Sequence, residues 1–264
     1  GNVLDGGHIY LYAGKSNADG TEDATGGSIS MISGFGTKST SGTIIIRTLN
    51  AGVSGVSGEL VFSTGTTTTG ASGDISIGTG TASAGDGGDI SIVVGDGNVL
   101  DGGHIYLYAG KSNAAASTGA TGGSISIISG FGTQSTSGTI IIRTLNAGVS
   151  GVSGELVFST GTTTTGASGD ISIGTGTASA GDGGDISIVV GDGEVLDGGH
   201  IYLYAGKSNA VASTGATGGS ISMISGFGTE STSGTIIIRT LNAGVSGVSG
   251  ELVFSTGTTT TGAS

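Results

Sequence analysis

Apolar and polar residues alternate in six short segments within the first 96 residues of the chain. Each segment begins with a polar residue and then places apolar side chains at alternate positions, as in TIIIRTL from Thr43. Alternation with a period of two is typical of an extended strand, whose successive side chains point to opposite faces. Glycine-rich stretches separate the segments and predict turns. The segments begin at His8, Ser28, Thr43, Glu59, Asp74 and Asp89.

Two large apolar side chains of each segment share one face, and we call this face the apolar row. A single strand cannot bury such a face, whereas equivalent strands stacked about 4.8 Å apart would bury a continuous ladder. We therefore expect the apolar row to form the structural core. Its members in the first 96 residues are Ile9, Leu11, Ile29, Met31, Ile44, Ile46, Leu60, Phe62, Ile75, Ile77, Ile90 and Ile92.

The whole pattern recurs with a period of 96 residues, which gives two complete units, 1–96 and 97–192, and a partial unit, 193–264. The first and second units differ at seven positions, five of which are the consecutive residues 19–23. These residues lie in the longest connection, which we expect to form a protruding loop. The sequence predicts one continuous domain of repeated units.

The strand period of two and the repeat of segments along the chain together predict an all-β fold. We expect a parallel β-solenoid, or β-helix, with short coils of about 16 residues. The pattern on the opposite face of the segments does not determine whether one chain or several chains build the fold. Tyr10, Tyr12, Ile45 and Val61 lie on that face and are the predicted assembly or contact face. We consider a solenoid of one chain and an interwound homotrimeric β-helix, and we expect self-association.

Composition and charge narrow the classes of partner. The chain contains 59 glycines, no cysteine and no proline, and its net charge is −12. This charge disfavours nucleic acid as a partner because it repels phosphates. No apolar run approaches the ~20 residues of a membrane span, so we expect no membrane insertion.

Acidic residues at the glycine-rich turns raise the question of calcium. Asp86, Asp89 and Asp96 lie in GDGGD and GDG sequences, and calcium prefers six to eight oxygen ligands. These sequences do not form the nine-residue tandem repeat of calcium-binding β-helices, and aspartate is also a common turn former. We predict no cofactor, with calcium at these three residues as the alternative.

No constellation of residues predicts catalysis. The three histidines, His8, His104 and His200, are equivalent positions of the repeat, one in each unit. An active site repeated nearly unchanged in every unit is not expected of an enzyme, so we predict no enzymatic activity and no catalytic residue.

The stretch SGDISIGTGTASAGDGGDISIVVGDG resembles the Gly/Ser/Thr-rich repeats of giant surface adhesins and of fibre proteins that resemble tail fibres. The resemblance implies a rigid spacer, a fibre or stalk segment of a large extracellular or cell-surface protein, or the fibre shaft of a virion. The tyrosines or the protruding loop would instead suit an adhesive module that binds a glycan or a protein. Threonine rows such as Thr66–Thr69 are compatible with ice binding.

Overall fold

The computed structural model describes residues 6–17, 24–115, 119–210 and 215–259, and over these ranges the chain forms no helix and no strand. It is a coil-rich chain in which glycine-rich connections bend and the segments between them carry no regular secondary structure. The part of the chain that the structure describes therefore contains no helix able to span a membrane. The protruding loop expected near residues 17–24 lies almost wholly outside the described residues.

The prediction of an all-β fold, whether as a β-solenoid of one chain or as an interwound homotrimeric β-helix, is wrong. A solenoid requires each segment to form a strand paired with the equivalent segment one coil away. The described residues contain no such strand and no buried core. Period-two alternation identified segments with two distinct faces, but it did not identify a backbone partner for them within the chain.

Bends and turns occur at regular intervals along the connections, as the glycine-rich stretches predicted. After the last five segments of the first repeat they lie at residues 37–39, 53–54, 68–70, 83–85 and 98–100. The same positions bend again 96 residues later, at 133–135, 149–150, 164–166, 179–181 and 194–196. The local path of the chain thus follows the sequence repeat closely.

The chain divides into two structural units, Gly1–Ser129 and Gly130–Ser264. The first contains the connections that follow the His8 to Asp89 segments, together with the connection after the His104 segment. The second unit contains the connections that follow the later segments of the second sequence repeat and those of the third repeat, from the His200 segment onward.

Most glycines serve a purpose other than positive φ angles. Among the described residues, positive φ occurs only at the equivalent glycines Gly119 and Gly215, at 66° and 64°. At some of the other glycines the absence of a side chain allows close backbone approach. A Cβ atom added at Gly36 would lie 2.5 Å from the Ser39 carbonyl oxygen, too close for any real side chain.

Candidate functional site

The connections are closed by contacts between the end of one segment and the start of the next. The Gly42 amide N–H donates a hydrogen bond to the Gly34 carbonyl oxygen, with an N···O distance of 2.8 Å. The Gly27 amide donates in the same way to the Gly14 carbonyl, at 2.8 Å, and the Gly103 amide to the Gly95 carbonyl, at 3.1 Å. Each bond closes a loop, so consecutive segments meet end to start.

The closing contact follows one rule in all six connections of the first repeat. The glycine that immediately precedes each segment lies against a small or β-branched residue near the end of the segment before it. A side chain on this glycine would collide with, or press closely on, that neighbour in most of the connections. The pairs are Gly27 with Ala13, Gly42 with Ser33, Gly58 with Thr48, Gly73 with Thr64, Gly88 with Thr79, and Gly103 with Val94.

One of these pairs is strengthened by a side chain. The Thr79 hydroxyl donates a hydrogen bond to the Gly88 carbonyl oxygen at 2.8 Å. Thr175 and Gly184 repeat it in the second unit, also at 2.8 Å. The alternation of apolar and polar residues did not predict this pairing, although a glycine precedes every one of the six segments and could have indicated it.

The end-to-start geometry explains why the apolar rows do not stack within the chain. A segment of six extended residues spans about 17 Å. Since Gly27 meets Ala13 at the end of the His8 segment, the Ser28 segment begins there and not beside His8. The predicted core residues therefore remain exposed, with exposed fractions from 47% at Ile44 to 90% at Ile9.

The two faces of a segment are nevertheless not equally exposed. Ile44 and Ile46, in the apolar row, are 47% and 50% exposed, whereas Ile45 between them is 76% exposed. The other two copies repeat this difference at residues 140–142 and 236–238. Leu60, at 48%, is likewise less exposed than its neighbour Val61, at 65%. The difference is consistent only in the Thr43 segment and its copies, because Phe62 in the apolar row is as exposed as Val61, at 65%.

An aromatic row, defined here as His8, Tyr10 and Tyr12, occupies that opposite face. The ring centroids of Tyr10 and Tyr12 are 5.9 Å apart and their planes differ by 17°. The His8 ring lies 5.9 Å from the Tyr10 ring. The row recurs at His104, Tyr106 and Tyr108 and at His200, Tyr202 and Tyr204, with tyrosine separations of 6.0 and 6.1 Å.

The acidic candidates do not gather into a metal site. In the described ranges, no group of three His, Cys, Asp or Glu residues is placed to hold a metal ion, and Asp86, Asp89 and Asp96 form none. The described residues also form no pocket.

Backbone hydrogen bonding is sparse in the described residues. Eleven backbone-to-backbone bonds connect them, and each joins two glycines of a connection. A folded protein forms about one intramolecular hydrogen bond per residue. Most backbone N–H and C=O groups of the segments, like the apolar rows, are therefore not covered by other parts of the described chain.

Comparison of the chain with protein-family models, with curated protein sequences and with solved structures gives no match.

Proposed function

We propose that the chain is a structural fibre or stalk segment, a spacer within a large extracellular or cell-surface protein. The observation that supports this most strongly is that the hydrogen bond closing a given connection recurs at the equivalent glycines of every unit. The Gly34–Gly42 bond of the first unit, at 2.8 Å, recurs as Gly130–Gly138 and Gly226–Gly234, both at 2.9 Å.

Repetition of one local geometry suits a role in which each added unit contributes the same increment of length. A pocket or a catalytic centre would be a single feature that repetition does not improve. The variation between units also fits this role, because five of the seven differences between the first two units are consecutive residues of one connection. The apolar row changes only from Met31 to Ile127, which nearly conserves volume.

A length series tests the spacer. The chain of 264 residues is compared with chains lengthened by one and by two further copies of residues 97–192. Small-angle X-ray scattering gives the maximum dimension of each. A spacer of additive units predicts about a 1.7-fold increase from the shortest to the longest chain. A compact domain would grow only about 1.2-fold and a disordered chain about 1.4-fold, and either result would contradict the proposal.

An adhesive module is the second candidate, and the aromatic row favours it. Three exposed rings follow one another in each unit, and the two tyrosines, whose planes differ by only 17°, carry polar hydroxyl groups. Such rings suit a neutral ligand with apolar faces, such as an uncharged glycan, because the chain's charge of −12 disfavours anions. Weak sites repeated along one chain would bind a polymeric ligand with avidity.

Binding to immobilised neutral polysaccharides tests the second candidate. Replacing Tyr10, Tyr106 and Tyr202 together by serine should abolish retention if the aromatic rows bind. The matched control replaces Ile32, Ile128 and Ile224, which are also strongly exposed on the chain, by serine. Equal retention of both variants, or no retention of the original chain, would exclude the adhesive function and leave the spacer.

A further inference from the structure

We infer that the two tyrosines of each aromatic row are a site of oxidative cross-linking within the chain. An external one-electron oxidant, a peroxidase supplied with hydrogen peroxide, couples the two rings into dityrosine. This modification goes beyond the spacer role and does not depend on it. The pairs are Tyr10 with Tyr12, Tyr106 with Tyr108, and Tyr202 with Tyr204.

Every tyrosine of the chain belongs to one of these pairs. The chain contains six tyrosines, and the structure arranges all six two by two. The ring centroids of a pair are 5.9, 6.0 and 6.1 Å apart in the three units, and the ring planes differ by 17°, 13° and 14°. Residues two apart in an extended chain share a face, so local sequence is enough to bring the two phenol rings together.

The tyrosine rings are open to an oxidant as large as an enzyme. Tyr10 is 69% exposed and Tyr12 is 84% exposed, and the other two pairs repeat these fractions to within one percentage point. An enzyme does not enter the interior of another protein, so a phenol that it oxidises directly must lie on the surface. All six phenols of this chain meet that requirement.

The composition of the chain directs one-electron oxidation to these rings. The chain contains no cysteine and no tryptophan, which are the other side chains that readily lose an electron. Its two methionines, Met31 and Met223, react with peroxide by gaining an oxygen atom, which forms no cross-link. The tyrosines are therefore the side chains of this chain that such an oxidant couples.

The coupling step balances within one pair of tyrosines. Each phenol loses one electron and its hydroxyl proton and becomes a phenoxyl radical. The two radicals form a carbon–carbon bond between the ring carbons next to the hydroxyl-bearing carbons, and the hydrogens of those two carbons move to the phenoxyl oxygens. The two electrons and two protons that leave the pair reduce one hydrogen peroxide molecule to two water molecules.

The second ring of a pair is the favoured partner for coupling because it belongs to the same short stretch of chain. Groups joined by a short linker meet at an effective concentration of about 1 mM, which exceeds the concentration of a second chain in a dilute solution. Radicals on Tyr10 and Tyr12 therefore combine with each other before they combine with those of another chain. The bond closes residues 10–12 into a covalent ring.

An exchange of neighbouring residues tests this geometry at constant composition. One variant combines Leu11→Tyr with Tyr12→Leu and makes the same exchange in the other two units. Its two tyrosines in each unit lie on opposite faces of the segment, because successive side chains of an extended chain alternate. A second variant leaves one phenol in each unit and keeps both aromatic rings. Its changes are Tyr12→Phe, Tyr108→Phe and Tyr204→Phe.

The full-length chains are incubated with a haem peroxidase and hydrogen peroxide, and their intact mass and dityrosine fluorescence are measured. The original chain should lose two hydrogens at each of its three pairs, about 6 Da in total. Peptide mapping should place each new bond within a pair, as between Tyr10 and Tyr12. The exchange variant should form the product within one chain at least ~10-fold more slowly, and the phenylalanine variant should form none.

Equal rates of coupling within the original chain and within the exchange variant would overturn the inference, because the paired geometry would then have no effect. Coupling of the original chain only to other chains, visible as covalent dimers on a denaturing gel, would overturn it too, as would the absence of dityrosine. The scattering series that tests the spacer uses chains that have not been oxidised. Failure of either proposal is therefore visible without the other.

Discussion

The connections and the segments of this chain differ in how many of their stabilising contacts lie within the chain itself. A connection such as 34–42 closes on itself, with a backbone hydrogen bond of 2.8 Å and a glycine where no side chain fits comfortably. The segment that follows it, TIIIRTL from Thr43, has no backbone partner among the described residues and no buried side chain. Local sequence therefore determines the connections, while the segments have no comparable closing contact within the part of the chain that the structure describes.

This difference predicts two kinds of response to substitution. Changes in a segment should act on association, so their effect should depend on protein concentration. Changes in a connection should act on the local path of each chain and alter the assembly only indirectly.

The largest effect is expected at Leu60 and its copies Leu156 and Leu252. Replacing them by alanine should cost about 2–5 kcal/mol for each side chain that association buries, because it leaves cavities. The adjacent Val61, Val157 and Val253 lie on the opposite face, and alanine there should cost less than about 0.5 kcal/mol. Denaturant unfolding at two protein concentrations measures both. Similar losses for the two sets would remove the distinction between the faces.

A smaller effect is expected at Gly36. A Cβ atom there would lie 2.5 Å from the Ser39 carbonyl oxygen and 2.8 Å from that of Thr40, so Gly36→Ala should destabilise the connection by about 1–3 kcal/mol. Gly34 has no atom within 4 Å of an added Cβ, and Gly34→Ala should be neutral or stabilise by about 0.4–1 kcal/mol. The difference in thermal unfolding temperature between the two variants is the readout, and its reversal would contradict the close backbone approach at Gly36.

The closing hydrogen bond of Thr79 should contribute less again. Thr79→Val removes the hydroxyl that donates to the Gly88 carbonyl and keeps the shape of the side chain, so a loss of about 0.5–1 kcal/mol is expected. Thr81→Val in the same stretch is the control. Calorimetric unfolding of the two variants should separate them, and a loss of stability confined to Thr81→Val would show that the bond contributes nothing.

The smallest expected effect is that of salt. Each copy carries a net charge of −12, so association brings like charges together. Raising the ionic strength from about 0.01 M to about 0.15 M shortens the screening length from ~30 Å to ~8 Å and should tighten association several-fold. Sedimentation at both ionic strengths measures the change, and weaker association in salt would indicate that ion pairs between copies dominate.

Sequence reasoning succeeded where the determinants are local. The glycine-rich stretches predicted the bends, for example at residues 83–85, and the spacing of Tyr10 and Tyr12 placed their rings on one face. Both features depend on residues a few positions apart. The closing glycines could also have been found, since Gly42 and Gly58 occupy the same place before their segments.

The β-solenoid was wrong because alternation says nothing about which backbone lies alongside a segment. The spacing of about 16 residues was interpreted as one coil around a single chain's own core. The structure instead places Gly42 beside Ser33, so the next segment starts where the last one ends. A pairing partner in another chain leaves no mark in the pattern of Ile44 and Ile46 that would distinguish it from a partner in the same chain.

Amide hydrogen exchange across a dilution series tests most directly whether the segments are completed only by other copies. At concentrations where sedimentation shows self-association, the amides of segments such as 43–49 should be protected. On dilution to the monomer, their protection should be lost together with the mass. Segment amides that stay protected in the 24.9 kDa monomer would show that one chain completes its own structure, and would contradict this account.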